Sequence, residues 1–247
     1  MKKLSALFTT LLALVTYPAY ALVIQDYSVF LHSSSLNAQS LQYNHIGAGD
    51  NDFIGTGITV DVTDQLNNDG IGNITWNFAN NTGAALKDTK LFVFLDAEID
   101  QALNTFFNES GALVSVNGVG ATDNLPDSWE IDEPGYSFGD IFDNLLAGVL
   151  DNTNTVAAGA EDDVSLALGF DLGDLVAGAK WTGTFITSLL DVGGLSQTST
   201  DANTTFYFNG TVDVSNPISV SEPGILSLFI LFSLFLMIFS RIIRAID

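Results

Sequence analysis

The chain has 247 residues, with 29 acidic and seven basic side chains, no cysteine and a formal charge of −22. That balance excludes nucleic acid as a partner, because a phosphate backbone is held by clustered lysine and arginine. The missing cysteines exclude a disulfide framework and thiol chemistry, so an exported form must rely on its core, with or without help from a metal.

The N-terminus begins with Lys2 and Lys3, continues through an apolar stretch from Leu4 to Val15 and reaches Ala19-Tyr20-Ala21. Basic, apolar and small-residue parts in that order predict a removable signal peptide over residues 1–21. Between residues 22 and 224 lie 28 acids and only Lys87, Lys90 and Lys180, a formal charge of −25. Such a surface suits solubility outside the cell and the binding of divalent cations.

The acidic region, residues 22–218, reads as strands. Ile58, Val60 and Val62 alternate with polar residues, as do Ile74, Trp76 and Phe78, and later Phe206, Phe208 and Val212; period-two alternation is the mark of a half-buried strand. Asn68-Asp69-Gly70, Asn80-Asn81-Thr82-Gly83 and Gly193-Gly194 supply turns between them. Leu91 to Leu95 is denser and suits a central strand, and Val164 to Phe170 and Trp181 to Thr187 add two more. Seven to ten such segments without a repeating helical partner predict an all-β fold, a β-sandwich ectodomain. Trp76 and Trp181, inside strand patterns, are expected in its core.

From Gly139 to Leu150 the apolar residues recur at three and four, with Ser137 placed to cap and Asp140 and Asp143 in the first turn. This predicts one short amphipathic helix packed across an end of the sandwich.

The best metal candidate is Asp96, Glu98 and Asp100, carboxylates at alternate positions after a strand, with Asn104 and Asn108 available as further oxygen donors. Extended backbone would put all three on one face, and hard oxygen ligands suit calcium. The same pattern also fits an edge kept from pairing by charge. Asp127, Glu130, Asp132 and Glu133 form a second acidic cluster, and Glu161, Asp162 and Asp163 a third. No catalytic residue stands out: His32 and His45 occupy separate polar contexts, and neither a nucleophile elbow nor a zinc-binding helix motif is present. Trp129, Tyr136 and Phe138, set among acids, could form an aromatic platform for sugar rings, or Trp129 could belong to the core.

At the C-terminus, Ser221, Glu222 and Pro223 precede seventeen uncharged residues from Gly224 to Ser240, which Arg241 and Arg244 close. As a helix those seventeen would run about 25 Å, close to the roughly 30 Å hydrocarbon core, and Ile242 and Ile243 extend them. A transmembrane helix over 224–243 is therefore expected, its arginines on the cytoplasmic side.

A signal peptide combined with a Glu-Pro motif, a short hydrophobic helix and a terminal arginine cluster resembles the PEP-CTERM sorting signal of Gram-negative bacteria, here over residues 219–247. The usual Val-Pro-Glu-Pro reads Val220-Ser221-Glu222-Pro223, with serine in place of the first proline. The resemblance implies an exosortase-like processing enzyme as partner, passage through the inner membrane, cleavage near Glu222 and Pro223, and a place at the cell surface alongside exopolysaccharide. The stretches from Asn80 to Asp96, Thr105 to Gly111 and Asp162 to Gly178 also resemble the β-sandwich modules that precede this signal. The resulting expectation is a non-enzymatic structural or adhesive protein of the cell surface or matrix. The alternatives are a calcium-dependent carbohydrate-binding module and a polysaccharide-acting hydrolase, which needs only two carboxylates roughly 5 to 10 Å apart.

Overall fold

The computed structural model describes residues 22–36, 40–49, 51–99, 106–116, 125–135 and 138–217, together with Phe232, Ser233 and Phe235. The chain divides into two units, Met1–Ser215 and Asn216–Asp247. The signal peptide, Ser221, Glu222, Pro223, Arg241 and Arg244 lie outside the described residues, as does the 224–243 segment apart from those three residues. Among the described residues no helix is long and apolar enough to cross a membrane.

The described part of the first unit is all-β with one helix. Its strands are β1 (Leu22–His32), β2 (Leu41–Ile46), β3 (Ile58–Asp64), β4 (Gly72–Asn80), β5 (Leu86–Ile99), β6 (Glu109–Ser115), β7 (Ser128–Asp132), β8 (Ser165–Leu175), β9 (Lys180–Ser188), β10 (Gly194–Ser199) and β11 (Thr204–Ser215). They form two antiparallel sheets, ordered β2-β1-β5-β8-β7 and β3-β4-β9-β11-β10-β6. Eleven strands exceed the seven to ten expected; β1, β2, β6, β7 and β10 lie outside the segments that alternation or a dense apolar run picks out.

The sheets face each other, sandwich-like, through aromatic rings. Tyr27 of β1 meets Phe208 of β11 edge-on at 6.0 Å, Tyr43 of β2 meets Trp76 of β4 at 5.3 Å, and Phe170 of β8 meets Phe185 of β9 at 5.8 Å. Such edge-to-face pairs are favoured by the ring quadrupoles. Trp76 and Trp181 are fully buried as expected, and Trp181 stacks on Phe78 at 5.2 Å. In β5 the odd residues Leu91, Val93, Leu95, Ala97 and Ile99 fill this core. Its central place explains the density of its apolar run, because its other face is covered too.

That second cover is the helix α1 (Ile141–Ala147). Its Ile141 and Leu145, with the following Leu150, bury Phe30, Phe92, Phe94 and Ala167 on the outer face of the five-stranded sheet. The helix therefore lies on a sheet face, where the even residues of β5 offer it an apolar bed, and not across an end. It is also shorter than the predicted 139–150, and Ser137 lies outside the described residues. Asp140 is the N-cap without a side-chain cap bond, and its N–H instead donates to Asp132 Oδ2 at 2.7 Å. Gly148 ends the helix at φ 74°, its N–H donating to Leu145 O while Val149 N–H reaches Asn144 O, a Schellman closure that only glycine adopts without strain.

Candidate metal centre

The outer face of the five-stranded sheet changes character along its strands. Where α1 ends its cover, the row beyond Phe94 reads Asp26, Asp96, Ser165 and Asp132 across β1, β5, β8 and β7. A β-bulge between Ile24 and Asp26 makes this row possible. Ile24 packs toward the core opposite Ala97, whereas Asp26 stands opposite Asp96 on the outer face, because the extra residue Gln25 inverts the alternation.

Two of the predicted ligands, Asp96 and Glu98, share that face, as alternation in β5 requires. Asp100 and Asn104 lie outside the described residues. Asn108 turns its amide to Asp201 Oδ2 at 2.7 Å. The carboxylate that joins Asp96 and Glu98 is Asp163, from the third acidic cluster: one oxygen of each lies within 4.8 Å of the others. β5 and β8 pair Asp96 with Ser165 in an antiparallel register, and that register continued two residues beyond the end of β8 would set Asp163 opposite Glu98. Asp163 precedes a recognisable strand with the right parity, but sequence alone carries no register to match it with β5.

Asp96 and Glu98 are each 6 % exposed. Neither carboxylate accepts a hydrogen bond from a described residue, and the two ion pairs among the described residues, His45 with Asp64 and Lys87 with Asp174, lie elsewhere. Burial, followed by the charges of Asp163, Glu98 and Asp26, pushes Asp96 up to about 8. Burial and Asp163 push Glu98 up to about 7. Asp163 rises to about 6 through burial and the charges of Asp162 and Glu133, against one restraining bond from the Val164 N–H. Nearby Glu109, fully buried, rises to about 8 through burial, although Ile99 N–H (3.0 Å) and the Gln197 amide both donate to it. Glu109 is a neighbour of the trio that its sequence context, Phe-Phe-Asn-Glu-Ser-Gly, does not reveal.

Three oxygens converging without a counter-charge are what a divalent cation requires, and hard carboxylate oxygens suit calcium over softer metals. A cation would reverse the electrostatics, holding all three groups ionised. A second trio, Glu130, Asp140 and Asp151, lies beside α1. Its Glu130 is already served by Asn144 Nδ2 at 2.9 Å and Asp151 N–H at 3.1 Å, so its charge has donors in place.

The candidate aromatic platform divides. Trp129 is half-buried and packs against the main core, Tyr136 lies outside the described residues, and Phe138 is 71 % exposed. Phe138 meets two residues that sequence reading left out, Phe106 and Phe107 of a single 3₁₀ turn, in a groove of about 240 Å³ whose acidic wall includes Asp163. His32 and His45 stay apart: His45 pairs with Asp64 at 3.0 Å, while burial and Lys90 lower His32.

No protein-family model matches the chain, and neither a curated protein nor a solved structure matches it.

Proposed function

We propose that this chain is an exported, non-enzymatic β-sandwich protein of the cell surface or matrix, structural or adhesive in role, whose ectodomain takes up a divalent cation at Asp96, Glu98 and Asp163. The convergence of those three carboxylates without a cationic partner among the described residues carries the ectodomain part of this reading. Export and sorting rest on the two ends: the signal-peptide pattern of residues 1–21, and the tail in which Ser221, Glu222 and Pro223 precede an apolar segment closed by Arg241 and Arg244. A donor set of oxygens alone favours calcium.

The sorting half is tested by expressing the chain with an internal tag in a host that has an exosortase, and comparing it with a Glu222→Ala, Pro223→Ala variant. Loss of the tail from the wild type but not from the variant is expected. If both remain full length in the inner membrane, the tail is an ordinary anchor and surface release is excluded. The second reading, a calcium-dependent carbohydrate-binding module, is favoured by the exposed rings beside Asp163.

A further inference from the structure

Asp163 belongs to two features at once. With Asp96 and Glu98 it forms the carboxylate trio, and it also lines the groove of Phe106, Phe107 and Phe138. The trio differs from a solvated acidic patch because Asp96 and Glu98, each 6 % exposed, point at a common position and accept no hydrogen bond from a described residue. Burying an ionised carboxylate costs several kcal/mol unless a proton or a cation compensates it, and a divalent cation at the common position would compensate both side chains at once.

The groove is just as unusual from the apolar side. Phe106, Phe107 and Phe138 are 45 %, 56 % and 71 % exposed, and Phe106 and Phe107 lie 4.3 Å apart. Three large rings gathered in one solvent-facing groove mark a binding surface, since soluble proteins seldom leave such patches idle. The charged residues on the wall are all acidic, Glu133, Asp162 and Asp163, beside Pro134 and Gly135.

We propose that this groove binds a neutral polysaccharide, one sugar ring stacking on Phe107 and Phe138 while two adjacent hydroxyls complete the coordination of a divalent cation held by Asp96, Glu98 and Asp163. The inference rests on the cation reading above. Calcium takes six to eight oxygens, and each of the three residues brings one to the common position, so in that arrangement positions remain open. Asp163 connects the trio to the groove, which makes the groove side the natural source of the remaining oxygens. Charge decides which class of polymer fits. A divalent cation among three ionised carboxylates still leaves a net negative site, and Glu133 and Asp162 make the wall more negative. A uronate polymer would be repelled there, whereas sugar hydroxyls donate to carboxylates at no electrostatic cost. A volume of about 240 Å³ suits one ring of a chain that continues into solvent.

The test uses the purified full chain in mild detergent, freed of metal by chelation. Calorimetric titration with CaCl₂ reports the cation. Electrophoresis through native gels containing dextran, xylan, galactomannan or polygalacturonate, each with CaCl₂ or with chelator, reports the polymer. The expected result is calcium uptake by the wild type and retardation by at least one neutral polysaccharide, abolished by chelator. A Phe107→Ala, Phe138→Ala variant should keep wild-type calcium affinity and lose at least tenfold in polysaccharide binding, and Asp163→Asn should lose both. These rings are exposed, so their removal leaves the core intact. Calcium uptake with no neutral polymer retarding the chain, with retardation by polygalacturonate alone, or with unchanged binding in the Phe107→Ala, Phe138→Ala variant overturns the groove assignment and leaves the cation reading standing. No calcium uptake overturns both.

Discussion

Free of divalent cation, this protein should become less stable as pH rises, the reverse of the usual behaviour of paired carboxylates. Asp96 is the clearest source, its carboxyl raised from 3.8 to about 8 by burial and by Asp163, Glu98 and Asp26. A raised folded-state value means that the native state binds the proton more tightly than the unfolded chain does. Stability is therefore fully present below the unfolded value and is lost as pH climbs to the folded one. At about 1.36 kcal/mol per unit, Asp96 alone removes about 4 kcal/mol between pH 5 and pH 8. In a domain of this size each kcal/mol moves Tm by roughly 2–4 °C, so the chelated protein should melt about 8–16 °C lower at pH 8 than at pH 5. Calcium at a hundred times its dissociation constant adds about 2.7 kcal/mol and should restore most of that loss at pH 8, with a smaller gain at pH 5 where protons compete for the ligands. Melting by circular dichroism at pH 5, 6, 7 and 8, with chelator or CaCl₂, measures both effects. Asp96→Asn cannot ionise and should flatten the chelated profile. A chelated Tm that holds or rises from pH 5 to pH 8, or an Asp96→Asn profile as steep as the wild type, would refute the claim that these carboxylates are desolvated and uncompensated.

Other parts of the fold give sharper mutational tests. Tyr27 is fully buried and its hydroxyl has no hydrogen-bond partner among the described residues, so Tyr27→Phe should raise stability in urea by about 1 kcal/mol; a loss of that size would reveal a partner for the hydroxyl. Leu145→Ala should cost about 2–5 kcal/mol by opening a cavity over Phe30, Phe92 and Phe94, and an unchanged urea midpoint would mean that α1 contributes nothing to the outer cluster. Gly148→Ala should destabilise by more than about 1 kcal/mol, since it forces alanine to φ 74° and drives a Cβ to 2.3 Å from the His32 ring; a neutral thermal melt would contradict that crowding.

Much of the sandwich can be read from residue order because each legible strand has one wet face. In β4, Ile74, Trp76 and Phe78 go inward while Asn73, Thr75 and Asn77 do not, and β9 and β11 repeat the arrangement. In β5 the unbroken run Leu91 to Leu95 signals a strand covered on both sides, though the identity of its second cover is invisible locally. The strands that escaped are those whose pattern is broken or polar. In β1 the bulge at Gln25 interrupts the alternation, β7 is five residues with two outward acids, and β10 buries Gln197 and Ser199 beside Leu195. The helix is visible as a period, but its docking face depends on Phe30, Phe92 and Phe94, which come from two strands distant in sequence.

The candidate site divides along the same line. Sequence by itself determined the strongly acidic region, the all-β character, and the placing of Asp96 and Glu98 on one face, because each follows from composition or from the two-residue period of a strand. Only tertiary structure decided that Asp163 is their partner, that Asp26 stands beside Asp96, and that Phe106, Phe107 and Phe138 share a groove. Those are matters of register and of loops meeting across a sheet. The period of a strand fixes which face a side chain takes, but the neighbour it finds there is set by how strands pair, and that pairing is chosen by the whole core at once.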